Sequence, residues 1–266
     1  MFEKVNPMHP DKIADRIAGA IVDKAYAVSK NPKVAVEVLI GHGICHIINE
    51  TSEEFDKTEI ENAVKRISRV DNILVDYKEY KQDSILANNQ AKSISCGDNG
   101  IFKGVPTSKE ELELSALVKS IYKRYPYDGK YIIENNNLTV CQSRISNELD
   151  WLPYKNIVIN PIGSWTGGID VDSGATNRKL GSDMGRAVTG GGLHGKDLSK
   201  ADVTLNIVAY LFAHKENKEI EVHCNIGAKT ICINGDDYPY SYCVEMAKEY
   251  ITFIGGFERL AEWGLI

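Results

Sequence analysis

The densest collection of chemically capable side chains runs from Asn160-Pro161 to Asp202. It holds Asp170, Asp172, Arg178, Lys179, Asp183, Arg186, Lys196, Asp197, Lys200 and Asp202, interleaved with Gly167-Gly168 and Gly190-Gly191-Gly192. Long stretches without regular periodicity are usually functional in compact proteins. Glycines let backbone N–H groups approach an anion, lysines and arginines neutralise phosphate oxygens, and aspartates hold a magnesium ion that bridges them. The segment therefore reads as a polyphosphate site, with a solvated surface loop as the alternative. Within it, Gly190 to Lys196 spells G-x-x-x-x-G-K, the opening of a P-loop. Asp197 stands where Ser or Thr should reach the metal, and the preceding Gly181–Arg186 segment is polar rather than a β-branched strand. A P-loop fold is rejected, while a glycine cradle with a lysine is kept. Near the start, Met8-His9-Pro10-Asp11-Lys12 places an imidazole, a carboxylate and an ammonium at a helix N-terminus. Such an end suits an anion or a metal–phosphate complex, with plain helix capping as the alternative.

The elements that must carry these groups follow from periodicity. Ile13, Ile17, Ala20, Ile21 and Ala25 recur at helical spacing and predict a helix from Pro10 to about Ala27. Lys33–Ile40 and Ile44–Asn49, around Gly41-His42-Gly43, read as two strands. Thr58–Val70 reads as a helix, Ile73–Tyr77 as a strand, and Gln82 to Gly100 as a loop. Thr107 to Glu111 offers a capping box for a helix reaching about Arg124. Short strands are expected at Tyr131–Ile133, Leu138–Gln142 and Asn156–Ile159. Asp197 or Ser199 should cap a helix to about His214. The strand pair Ile220–Cys224 and Thr230–Ile233 and a helix at Ser241–Phe253 close the chain. Strand pairs followed by helices give an α+β fold, with mixed and antiparallel sheets packed under helices.

Composition bounds the partners. The 266 residues carry a formal net charge of −6, with 43% hydrophobic and 26% charged residues. That is an ordinary globular balance, and it argues against a general electrostatic grip on nucleic acid. No apolar run is long enough to span a membrane, and the first residues lack an export signal's apolar stretch, so a cytoplasmic location is expected. No two of the six cysteines show C-x-x-C spacing; several lie in apolar runs and read as buried free thiols.

Several segments resemble one family. His9-Pro10-Asp11-Lys12-Ile13-Ala14-Asp15 looks like the G-H-P-D-K-I-A-D signature of the methionine adenosyltransferase (S-adenosylmethionine synthetase) family. Gly97-Asp98-Asn99-Gly100 is similar to its G-D-Q-G. Gly167-Gly168, Asp172 and Arg178-Lys179 resemble its G-G-P-x-G-D-x-G-L-T-G-R-K. Gly190-Gly191-Gly192 followed by Gly195 to Asp202 resembles G-G-G-A-F-S-G-K-D-P-S-K-V-D. The four motifs occur in family order across most of the chain. The resemblance implies a trimmed synthetase-like fold: one catalytic unit of about three related subdomains, roughly residues 1–105, 106–160 with part of the C-terminal region, and 161–266. It also implies a homodimer with the active site between subunits, or a tetramer built from it.

The implied reaction joins ATP to L-methionine, the sulfur attacking ribose C5′ while the whole triphosphate leaves before hydrolysis to phosphate and diphosphate. By motif, Asp11 and Asp202 would hold two magnesium ions, and Glu37, in Val34-Ala35-Val36-Glu37, a potassium ion. His9 would sit beside the leaving oxygen; Arg178, Lys179 and Lys196 would grip phosphates. Asp172 would meet the adenosine–methionine part, and Asp128 and Lys130, in Asp128-Gly129-Lys130, would contact ATP. Glu50, thirteen residues after Glu37, would take the methionine amino group, with Gln82, Asp98 and Lys200 nearby. Trp165 would replace the ring that stacks on adenine. The chain departs from the family where Met8 replaces a glycine and where Gly163-Ser164-Trp165 lacks an ATP-contacting arginine. The glycine cradle is one residue short and contains His194, and the 128–160 stretch and the chain's end are clipped. These departures keep open a catalytically weak nucleotide-binding regulator, or another ATP-dependent transferase.

Overall fold

The computed structural model describes residues 1–145, 149 and 156–266. Strand β1 (Phe2–Val5) leads through Asn6–His9 into helix α1 (Pro10–Val28), begun by a proline at its first turn. Ile13, Ile17 and Ile21 on α1 are fully buried, as the spacing requires. The hairpin β2 (Val34–Gly41) and β3 (Ile44–Thr51) buries Val34, Val36, Val38 and Ile40 on one face and turns Ala35, Glu37 and Leu39 to the other. Helix α2 (Lys57–Ser68) and strand β4 (Leu74–Lys81) follow, and β4 runs parallel to β3.

The stretch expected to be a loop, Gln82 to Gly100, contains helix α3 (Ser84–Lys92), which buries none of its residues and so leaves no apolar period to read. Next come β5 (Gly100–Gly104) and α4 (Lys109–Arg124), where Ser108 and Glu111 form the expected capping box. Strands β6 (Gly129–Glu134), β7 (Asn137–Gln142), β8 (Ile157–Ile159) and β9 (Ser173–Ala175) precede helix α5 (Leu180–Met184). Helix α6 spans Ala201–Glu216, strands β10 to β12 span Ile220–Cys224, Thr230–Ile233 and Asp236–Pro239, and helices α7 (Tyr240–Ile254) and α8 (Phe257–Trp263) end the chain. The N-cap of α6 is Lys200, without a side-chain bond. Asp197, expected as a cap, instead accepts from the N–H groups of Val34 (2.8 Å) and Ser199 (2.8 Å), tying the loop to β2.

Three four-stranded sheets result, in the orders β1-β6-β7-β8, β12-β11-β10-β5 and β4-β3-β2-β9. Only β7–β8 and β3–β4 are parallel among the described ladders. The largest core joins α1, the buried face of β2–β3, α2 and α8; α6 and α7 cover the β5/β10 sheet, and α4 covers β6–β7. All six cysteines are free, and Cys45, Cys96, Cys224 and Cys243 are buried. No helix among the described residues is long and apolar enough to cross a membrane.

Two short elements set the site. Gly174 in β9 lies so close to α1 that a Cβ there would fall 2.0 Å from the Pro10 carbonyl carbon. This approach lays β9 against the start of α1. Gly191, at φ +81°, gives way to the Asp202 carboxylate, whose Oδ1 would lie 2.3 Å from an added Cβ.

Candidate active site

His9 is the N-cap of α1, and its Nδ1 accepts from the Asp11 N–H at 3.2 Å. Burial, then Lys179, Lys130, Lys12 and Arg178, push the imidazole down to about 3. The ring is therefore neutral at pH 7. Because Nδ1 is an acceptor, the proton sits on Nε2, which leaves His9 as a hydrogen-bond donor rather than a cation.

Asp11 is 3% exposed, and its Oδ1 accepts from the Ala175 N–H at 3.0 Å, the contact that the Gly174 approach permits. Arg178 lies 3.6 Å from Oδ1 and Lys179 3.8 Å from Oδ2. Glu3, absent from the motifs, binds Lys179 (3.8 Å) and Lys130 (3.6 Å) from β1. One cluster thus unites Glu3, His9, Asp11, Lys130, Arg178 and Lys179 from β1, the start of α1, β6 and the loop after β9. Asp172 directly precedes β9, its Oδ1 accepting from Ser173 N–H at 2.7 Å.

Asp128 adjoins this cluster. Its Oδ2 accepts from Gly168 N–H at 2.8 Å, and its Oδ1 is buried without a partner. Burial, with Asp172 adding repulsion against the Gly168 bond, pushes its carboxyl up to about 6. A carboxyl raised in the folded state stabilises fully below its unfolded value, and that contribution is lost as pH climbs through the folded value. Asp128 should therefore cost roughly 2–3 kcal/mol between about pH 4 and pH 7. Asp128→Asn is expected to flatten that slope in urea unfolding at several pH values; a slope equal to the parent's would refute the assignment.

The second group lies on the open face of the β4-β3-β2-β9 sheet. Ala35 is aligned with Glu50 on one side and forms an isolated bridge with Lys196 on the other. Residues opposite one another share a face, so Glu50 and Lys196 flank Ala35, with Glu37 two positions along. Lys196 Nζ donates to Asp202 Oδ2 at 2.6 Å, and Thr176 donates to Glu37 through its hydroxyl. Gln82 Nε2 donates to the Glu50 carbonyl at 3.0 Å. Gln82 and Lys200 line a cavity of about 380 Å³ with Gly97, and the carboxylate of Asp98, the next residue, accepts from Asn99 N–H. Trp165 is partly buried, its indole donating to Asn160 Oδ1 at 3.2 Å. Among the described residues no hydrogen bond or ion pair joins the Asp11 group to the Asp202 group.

Motif reading missed the fully buried network beneath. Lys12 Nζ lies 2.6 Å from Asp183, 3.2 Å from Asp15 and 3.4 Å from His194 Nε2. Asp15, Asp183 and His194 have the spacing of a metal site. The ammonium of Lys12 occupies its centre and serves as its cation, so this trio does not fit a metal. The anionic oxygens of Asp11 and Asp202 do suit magnesium, a hard ion that takes oxygen ligands.

Residues 1–96 match the family described as S-adenosylmethionine synthetase, N-terminal domain. The S-adenosylmethionine synthase of Borrelia garinii subsp. bavariensis is 30% identical over 268 residues, covering 75% of this chain and 68% of that protein. The chain belongs to the S-adenosylmethionine synthase family. The enzyme of that name from Tropheryma whipplei is 26% identical over 329 residues, covering 89% of this chain and 82% of its own. The fold is also that of a solved structure, described as an unusual S-adenosylmethionine synthetase from Campylobacter jejuni. The TM-score is 0.76 at 19% identity, over all of this chain and 95% of that one. The α+β architecture expected from the sequence is thus the family's fold.

Proposed function

We propose that the chain is a methionine adenosyltransferase that makes S-adenosylmethionine from ATP and L-methionine, the sulfur attacking ribose C5′ directly and triphosphate leaving before it is hydrolysed. The observation that carries this reading is the group at the start of α1. A neutral imidazole stands among Lys130, Arg178 and Lys179 beside a buried carboxylate. In-line displacement needs alignment and a place for the charge that grows on the leaving oxygen. His9 donates a hydrogen bond to that oxygen, and Arg178, Lys179 and Lys196 hold the phosphates. Asp172, Asp128, Lys130 and Trp165 hold the adenosine. Glu50, Gln82, Asp98 and Lys200 form the methionine end.

Asp11 and Asp202 would hold two magnesium ions and Glu37 a potassium ion; the divalent ions supply charge neutralisation of the triphosphate. As the family resemblance implies, the site would be completed by a second copy of the chain. Leu39 and Ile48, each about half exposed, and Tyr80 lie on the open sheet face beside Glu37 and Glu50, an apolar surface for that copy. A homodimer, or a tetramer of such dimers, follows, working in the cytoplasm.

The test is direct. Pure protein with ATP, magnesium, potassium and methionine should yield S-adenosylmethionine, phosphate and diphosphate, with no product when any one component is left out. ATP binding without turnover would mark a regulator, and phosphate release without methionine consumption another transferase; either outcome overturns the proposal. Lys196→Ala is expected to lower kcat/KM about 100-fold, the loss of one charge-assisted contact in a dry site. Steady-state rates check it, and a loss under threefold would remove Lys196 from the phosphate site.

A further inference from the structure

Two of the buried cysteines meet at a place that the proposed reaction does not use. Cys96 lies between α3 and β5, and Cys224 is the last residue of β10. The Cys96 N–H donates to the Ala228 carbonyl (2.8 Å) and its carbonyl accepts from Gly227 N–H (2.7 Å), which fixes it against the turn after β10. Cys224 is aligned with Gly100 where β10 pairs with β5. The segment between them, Gly97–Asn99, is therefore held at both ends on one sheet, and one of its carbonyls meets both sulfurs. Cys96 Sγ donates to the Asp98 carbonyl at 3.1 Å, and Cys224 Sγ to the same oxygen at 3.5 Å. The two thiols also share a hydrogen bond with each other, so their sulfurs are direct neighbours. That bond from Cys224, set against burial, pulls the Cys96 thiol down to about 7, while the same contact and burial push Cys224 up. Cys96 is thus the sulfur that becomes a nucleophile first. Both residues are almost wholly buried, yet each borders a cavity. Cys96 borders the one of about 380 Å³ that Gln82 and Lys200 line, and Cys224 another of about 500 Å³ beside Asn99 and His223. Gly97 packs on the residue before Lys200, since a Cβ there would stand 3.4 Å from the Ser199 carbonyl oxygen.

We propose that Cys96 and Cys224 are a peroxide-responsive dithiol whose closure to a disulfide weakens the binding of methionine beside Gln82 and Lys200. The chemistry at sulfur is independent of the enzyme reading, while the effect on methionine rests on it. Hydrogen peroxide, small and neutral, reaches the pair through the two cavities. The Cys96 thiolate attacks one peroxide oxygen; the O–O bond breaks, and the departing hydroxide takes up a proton as water. Cys96 is then a sulfenic acid, oxidised by two electrons. The Cys224 sulfur attacks that sulfur, the S–O bond breaks, and hydroxide leaves with the Cys224 proton as a second water. Two thiols and one peroxide have become a disulfide and two waters. A disulfide carries no S–H, so the Asp98 carbonyl loses both thiol donors, and Gly97–Asn99 loses what ties its middle to the sheet. The change is passed to Asp98 itself and, through Gly97, to the backbone beside Lys200.

The test treats reduced full-length protein with a small excess of hydrogen peroxide, digests it without reductant and reads the peptides by mass spectrometry, with kinetics before and after. The expected product is a Cys96–Cys224 peptide pair lighter by two hydrogens and reversed by dithiothreitol. KM for methionine at saturating ATP should rise about tenfold with the cross-link, and KM for ATP should stay within about twofold. Cys224→Ser should keep the reduced protein's kinetics, abolish the cross-link and leave Cys96 as a sulfenic acid that dimedone traps. Cys243→Ser, which removes a buried thiol of the same core, should leave the cross-link in place. No cross-link, or one that joins Cys96 to any other cysteine, overturns the proposal, as does a Cys96–Cys224 cross-link with an unchanged KM for methionine. Reduced protein that forms no S-adenosylmethionine overturns the enzyme reading, and the methionine effect with it, whatever its peptides show. The peptide analysis needs no variant, so it decides even if Cys224→Ser does not fold.

Discussion

Lys12→Met is expected to cost about 3–5 kcal/mol of stability, enough to lower the melting temperature by roughly 6–20 °C. The ammonium is 1% exposed and bonded to both Asp15 and Asp183, which are themselves fully buried. Burial alone would lower the Lys12 value, but Asp183 and Asp15 outweigh it and hold the ammonium charged above its ordinary range. Burial likewise opposes ionisation of Asp183, yet Lys12 and His194 hold that carboxyl below the usual carboxylate range. Methionine has nearly the shape of lysine without its charge, so packing is kept while two carboxylates lose their counter-ion. The large loss comes from those stranded anions rather than from a strong net attraction. Adding Asp183→Asn to Lys12→Met should restore part of the melting temperature, since one stranded anion is removed. Thermal unfolding of the single and double variants checks this; a single variant melting within 2 °C of the parent would show that Lys12 is not the cation of this network.

That network also shows where sequence reading reaches its limit. Helix α1 and the β2–β3 hairpin were legible because one face of each is uniformly apolar and the other is not. Helix α3 was not, since it buries no residue, and α8 is only seven residues long after Gly255-Gly256. Asp15 stood in plain view inside the H-P-D-K-I-A-D run, but nothing linear ties it to Asp183 and His194. The cations, carboxylates and glycines proposed to meet a polyphosphate were visible in the sequence as residue types. Their partners were not. Glu3 enters only because β1 pairs with β6, which brings Lys130 beside it. The alignment of Glu50, Ala35 and Lys196 is a property of strand register, which motif spacing does not encode.

Asp11→Asn should reduce kcat/KM by about 1,000-fold, equal to roughly 4 kcal/mol of transition-state stabilisation, while leaving the fold in place. The amide keeps the size of the side chain and one oxygen, so the Ala175 N–H that Oδ1 accepts can still be satisfied. What disappears is the negative charge facing Arg178 and Lys179. That charge has two consequences for the displacement. In the proposed reaction it would supply an anionic oxygen for a divalent cation, and it would keep the two basic side chains gathered at the helix end where the triphosphate would depart. Without it, the guanidinium and ammonium repel one another and spread into solvent, and the donor on His9 faces a leaving oxygen whose charge is no longer shared. The effect should fall on kcat more than on KM for methionine, because the lost interactions develop with the leaving charge. Raising magnesium tenfold should recover only a small part of the rate. Rate measurements across a magnesium series, with circular dichroism to confirm the fold, decide the matter. Near-parental kcat in a folded Asp11→Asn protein would remove the α1 terminus from the reaction, and with it the role assigned to His9.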